Sequence, residues 1–107
     1  MQRITFVRYT AKPDRADENE ALSRAVFAEL RERRPDGVAY AVCRTGDDFV
    51  HVFINFNGDE SGSVTDLASF KAFSAEGPDR HAAPADIVRL GVNVIEAYGF
   101  ERTPVPA

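Results

Sequence analysis

At 107 residues, 44% hydrophobic and 28% charged, the chain has the size and composition of one folded core, which excludes a disordered segment. Its 13 basic and 17 acidic residues leave a formal charge of −4, so neither nucleic acid nor an anionic membrane surface is an expected partner. The lone Cys43 excludes an intrachain disulfide, and Met1 runs straight into strand-like Gln2–Phe6 with no apolar leader, so a cytoplasmic location is expected.

Residues 2–11 alternate, with Ile4, Phe6 and Arg8 on one side and Thr5, Val7 and Tyr9 on the other, as a strand does. Lys12-Pro13-Asp14 ends it, because proline removes a ladder donor and restricts its neighbour. Asp17-Glu18-Asn19-Glu20 then offers a helix cap with acid in the first turn. Leu22, Ala25, Val26 and Leu30 recur at helical spacing and form the stripe expected to lie on a sheet. Glu20 with Arg24 and Glu29 with Arg33 are i,i+4 ion pairs on the wet side. Pro35-Asp36-Gly37 stops the helix.

Residues 38–44 and 49–56 read as two strands, joined through Thr45-Gly46-Asp47-Asp48 as a hairpin. A polar loop runs from Asn57 to Ser63, and Ser63 with Asp66 resembles a second helix cap. Leu67, Phe70 and Phe73 make an apolar helical face, with Gly77-Pro78 as its end. Residues 79–87 read as irregular or as one short turn, broken by Pro84. Leu90, Val92 and Val94 alternate with Gly91, Asn93 and Ile95 in a last strand. The tail 101–107, with Pro104 and Pro106, is expected to be mobile, beyond a single domain spanning 1–100.

The order is βαββαβ, the ferredoxin-like α+β plan with a four-stranded antiparallel sheet. Its third strand is apolar on both faces: Val50, Val52, Ile54 and Phe56 on one, Phe49 and Phe53 with His51 and Asn55 on the other. A sheet wet on one side alternates cleanly. This one does not, so a second copy is expected over the open face, as a homodimer.

The stretch Ile4-Thr-Phe-Val-Arg-Tyr-Thr-Ala-Lys-Pro13, the strand Phe49-Val-His-Val and the helix Leu67-Ala-Ser-Phe-Lys-Ala-Phe73 resemble the antibiotic biosynthesis monooxygenase-like superfamily of dimeric α/β barrels, over residues 2–100. The resemblance implies two sheets paired into a barrel, with a ligand cleft between each sheet and its own helices. It implies cofactor-independent oxygenases of aromatic polyketides, haem-degrading enzymes, isomerases or stress-related proteins. The haem-degrading branch carries an Asn, Trp and His constellation, and this chain has no Trp. The oxygenase branch tends to use a Trp and a Tyr in its cleft, so its residues do not transfer directly.

Candidate chemistry is sparse. His51, mid-strand, could act near neutral pH as a base, or be a core histidine satisfied by a neighbour. Arg8 needs an anion, a side chain such as Glu96 or a ligand carboxylate or enolate, or else makes an interface or strand-edge salt bridge. Tyr40, in phase with Val38 and Val42, could orient a ligand or simply pack, and the strand amides Asn55 and Asn93 could orient a ligand or mark strand ends or a bulge. Phe70 and Phe73 would roof the cleft, and His81 is expected in solvent. No metal-ligand spacing, phosphate loop, dinucleotide fingerprint or nucleophile elbow appears, so neither metal nor cofactor is expected. An RNA-binding reading of the third strand fails on its acidic Gly46-Asp47-Asp48 lead.

These residues point to a cofactor-independent monooxygenase or isomerase acting on a small aromatic or enolisable compound. The alternative is a non-catalytic small-ligand-binding or stress-related protein. Because a slip of one residue reverses every strand face, the side that meets the helices is an expectation: Phe49, His51, Phe53 and Asn55.

Overall fold

The computed structural model describes residues 2–57 and 67–99. The elements run β1 (Gln2–Thr10), α1 (Ala16–Arg33), β2 (Val38–Thr45), β3 (Asp48–Asn55), α2 (Ala68–Ala75), α3 (Gly77–Arg80) and β4 (Asp86–Val92). The four strands form one antiparallel sheet in the order β2-β3-β1-β4, the ferredoxin-like arrangement. The cap at Ser63 and Asp66, most of the polar loop, and the tail 101–107 lie outside the described residues.

Register decides the faces. Val7 pairs with His51 and Tyr9 with Phe49 across β1 and β3, while Tyr40 pairs with Phe53 and Val42 with His51 across β2 and β3. This set turns toward the helices, where His51 lies against Phe73 of α2. Ile4, Phe6 and Arg8, with Val50, Val52, Ile54, Val88 and Leu90 beside them, occupy the opposite face. The core comprises one cluster around Tyr9, Ala11, Ala16 and Phe49 and another around Val26 and Leu67. Phe73 packs against both.

Helix α1 departs from the expected boundaries and stripe. It starts at Ala16 with Arg15 at the cap position and no side-chain cap, and Asp17 instead bonds Arg44 at 3.0 Å. The buried positions are Ala16, Asn19, Ser23 and Val26, whereas Ala25 faces solvent. The helix is thus rotated off its most apolar stripe, and two polar residues are buried with their bonds made, Asn19 to Tyr9 and Arg80 and Ser23 to the Asn19 carbonyl of its own helix. Both wet-side ion pairs form, Glu20 with Arg24 at 3.1 Å and Glu29 with Arg33 at 3.0 Å. Arg34 takes the left-handed position that ends α1, its N–H bonding the Leu30 carbonyl. Gly37 is required at φ 74, since a Cβ there would run into the Asn57 side chain.

Two other boundaries are corrected. Gly77-Pro78 opens α3 rather than closing the second helical region, because proline suits the first turn of a helix, where its missing N–H costs nothing. The last strand spans Asp86–Val92 rather than reaching Ile95, since it pairs with β1 only as far as Gln2. Beyond it, the Val94 N–H bonds the Gln2 side-chain oxygen at 2.8 Å.

Candidate functional site

Five polar side chains from five elements, β1, α1, β2, β3 and α3, join in one chain under the helices. Arg80, with no exposed surface, donates from Nε to Asn19 Oδ1 at 2.9 Å. Asn19, equally buried, donates from Nδ2 to Tyr9 Oη at 2.8 Å. Tyr9 Oη lies 2.8 Å from His51 Nε2, and Tyr40 Oη lies 2.7 Å from His51 Nδ1. Ser23 donates to the Asn19 backbone carbonyl, and Arg80 donates from Nη2 to the Phe73 carbonyl at 2.6 Å.

Proton positions follow from this order. Burial, with the nearby His81 behind it, lowers the His51 pKa to about 4, so the ring is neutral near pH 7 and carries one proton. Tyr9 Oη accepts from Asn19, which leaves its own proton for His51 Nε2. The ring proton is then on Nδ1 and is donated to Tyr40 Oη. The other tautomer would strand the proton of Tyr9, which is only 5% exposed, whereas Tyr40 is half-buried. An unmade bond costs more at the buried group. The Tyr40 O–H is therefore the uncommitted end of the chain.

Electrostatics set the other end. Among the described residues no carboxylate reaches Arg80 within ion-pair distance. The guanidinium rests 4.9 Å over the Phe73 ring, and its Nη1 has no partner. A buried cation without an anion is costly and persists where something local needs the charge. Burial raises the Tyr9 hydroxyl pKa above the usual phenol value, and the Asn19 bond and the Arg80 charge offset that only in part. Burial, with Tyr9 behind it, holds Tyr40 protonated well above the usual phenol range. The site can therefore present a fixed cation, two protonated phenols and a neutral imidazole.

The structure brings His51, Tyr40 and Phe73 together, the Phe73 ring centroid lying 5.7 Å from that of His51, with Phe70 at 6.4 Å from Phe73. Asn55 shares their sheet face and is buried, with its Oδ1 accepting from the Asn57 N–H as the chain leaves β3. Arg8 is on the opposite face, paired in register with Val50 and Asp86, so the sheet separates its side chain from His51. Asn93 lies past the end of β4, exposed. His81, expected in solvent, is half-buried instead, its ring stacked on Tyr9 at 4.0 Å and its Nε2 without a partner. The bridge between Ala11 and His81 draws it inward.

Tyr9, Asn19 and Arg80 were not among the candidates read from sequence. Tyr9 carried a signal, since it alternates with Arg8 and so shares a face with Val7, but only register ties that face to His51. Asn19 also did, lying seven residues before Val26 and in phase with it on α1. Arg80 carried none.

No protein-family model matches the chain, and no curated protein matches it in sequence. Solved structures do resemble it. A "putative antibiotic biosynthesis monooxygenase" from Nitrosomonas europaea superposes with a TM-score of 0.72 at 15% identity, over 90% of this chain and 94% of that one. A protein of the same description from Caulobacter crescentus CB15 gives 0.69 at 18% identity, over 86% and 91%. A conserved protein from Methanosarcina mazei Go1 gives 0.69 at 12%, over 84% and 91%. The chain thus has the fold of antibiotic biosynthesis monooxygenase-like proteins.

Proposed function

We propose that this protein is a cofactor-independent enzyme, a monooxygenase or isomerase, that moves a proton at an oxygen of a small aromatic or enolisable compound held between sheet and helices. The observation that carries the reading is the neutral His51 bridging two tyrosine hydroxyls, backed by a buried cation. In this reading the Tyr40 proton passes to the ligand oxygen, the His51 Nδ1 proton passes to Tyr40, and the Tyr9 proton passes to His51 Nε2. One proton leaves, and Tyr9 becomes a phenolate stabilised by Asn19 and the Arg80 charge. Reversal withdraws the proton. His51 acts here as a neutral relay rather than as the free base expected from sequence, since burial makes its imidazolium form expensive. Arg80 takes the electrostatic role that Arg8, on the other face, is not placed to fill. Phe70 and Phe73 are the apolar wall, and Asn55 a substrate-orienting amide farther along the same face.

Anthrone, an enolisable aromatic ketone, tests the reading. Protein-accelerated exchange of its methylene protons in D2O supports proton transfer. Exchange with stoichiometric oxygen uptake to anthraquinone and water selects the monooxygenase, and exchange alone the isomerase. Bound anthrone that neither exchanges nor consumes oxygen overturns the catalytic reading. The second reading, a non-catalytic ligand-binding protein, draws on the mutual satisfaction of Tyr9, Asn19 and His51, which a purely structural network also provides.

The face away from the helices supports a homodimer. Phe6 is 39% exposed and Val88 and Leu90 each 48%, on the same face as half-buried Val52 and Ile54. A contiguous apolar face of this kind is rarely left to water, and a second copy covers it with matching chemistry. Cys43, exposed and free on the same face, suits the reducing cytoplasm where we place the protein.

A further inference from the structure

A surface cleft of about 430 Å³ opens between α1 and the edge strand β2. Its size falls in the range of small-molecule sites. Glu20, Arg24, Phe27 and Arg31 succeed one another at helical spacing along one wall, and Val42, Arg44 and Phe49 contribute to the rest. The apolar part backs directly onto the polar network. Phe27 packs on Tyr40 at 4.9 Å, Phe49 stacks on Tyr9 at 5.5 Å, and Val42 pairs with His51.

The charge of this lining runs against that of the molecule. In a chain of net charge −4, the cleft carries three arginines against one glutamate. That glutamate is already shared: Glu20 bonds Arg24 through one oxygen and Arg44 through the other. Arg44 also reaches Asp17 and the Gly46 carbonyl. Arg31 has no acidic partner among the described residues, and its neighbours one turn away, Phe27, Ala28, Arg34 and Pro35, offer none. A guanidinium left free beside a partly apolar cleft is the geometry that accepts a carboxylate in bidentate fashion.

We propose that this cleft binds a flat one- or two-ring aromatic carboxylate, its ring against Phe27 and Val42 and its carboxylate on Arg31 with Arg24 beside it. The inference rests on the reading of the space beside α1 as the ligand side of the sheet, and not on turnover. It adds to that reading a preference for anionic over neutral aromatic ligands and makes Arg31 a specificity-determining residue.

Titration of the full chain with 2-naphthoate and with the neutral isostere 2-naphthamide tests it, read by calorimetry and by amide shifts at Phe27 and Arg31. The carboxylate is expected to bind about tenfold more tightly than the amide, with affinity falling as salt is added. Arg31→Gln is expected to erase that preference while leaving amide affinity unchanged, and the exposure of Arg31 keeps the variant folded. Equal binding of acid and amide, an unaffected Arg31→Gln variant, or no binding of either compound overturns the proposal. Naphthoate bound at Arg31 with inert anthrone leaves this inference standing and removes only the catalytic reading.

Discussion

Arg80 and Asn19 are both completely buried and are joined by a 2.9 Å hydrogen bond from the guanidinium Nε to the amide Oδ1, a cation held by a neutral group. That bond orients the amide, so that Nδ2 must face Tyr9, and through Tyr9 it sets the tautomer of His51. A bond far from the uncommitted Tyr40 hydroxyl thus decides which way its protons point.

Asn19→Asp should separate charge from orientation. The new carboxylate pairs with Arg80 and supplies its missing counter-ion, so stability at pH 7 should match or exceed that of the wild type. It can no longer donate to Tyr9, whose proton then turns to the carboxylate and leaves His51 Nε2 to carry the ring proton. Nitrogen-15 shifts of His51 are expected to show the Nδ1–H and Nε2–H forms exchanged. Unchanged shifts would refute the assigned proton order. Asn19→Leu, which strands Arg80 and Tyr9 together, should cost about 3 kcal/mol in denaturant unfolding.

Tyr40→Phe removes the oxygen that accepts the His51 Nδ1 proton. Leaving that donor unpaired should cost about 1–2 kcal/mol, small enough to keep the fold. Exchange of anthrone protons should fall to the buffer rate. A variant that exchanges as fast as the wild type would remove Tyr40 from the relay.

Stability should depend on pH through His51. Its pKa falls from 6.5 to about 4 on folding, so the unfolded chain binds the proton more tightly. The contribution is fully present above pH 6.5 and is lost as pH falls toward 4, amounting to about 3 kcal/mol across that window. His81, lowered by burial and then by the Arg80 charge, acts in the same direction. Between pH 7 and pH 4.5 the wild type should therefore lose more stability than His51→Gln, whose unfolding free energy should depend less steeply on pH. Parallel slopes would show that His51 is not the buried neutral group.

Sedimentation should give twice the 11.8 kDa chain mass. Val52→Asp, placed at the centre of the exposed sheet face between Phe6 and Ala41, should shift the protein to monomer while leaving the helix side folded. A wild-type monomer, or an unaffected dimer in the variant, would count against assembly through that face.

Much of the fold was legible because each element carries a local signature. The period-2 runs at Ile4–Tyr9 and Phe49–Phe56, the proline and glycine breaks and the i,i+4 charge pairs are short-range chemistry that the chain states residue by residue. Even the double-sided third strand and the placement of His51 with Phe49 under the helices followed from alternation, once one face was chosen. The polar network could not be read in the same way. It joins Tyr9, Asn19, Tyr40, His51 and Arg80 across separations of up to 61 residues; strand and helix phase mark the first four as facing inward, but no local pattern says that they meet one another or that Arg80 joins them. Alternation parted Arg8 from Tyr9, but only register put His51 on the side of Tyr9 and away from Arg8, and the rotation of α1 buried Asn19 in place of Ala25. Local propensity determined which elements form; the hydrogen-bonding demand of groups buried between those elements decided which side chains meet.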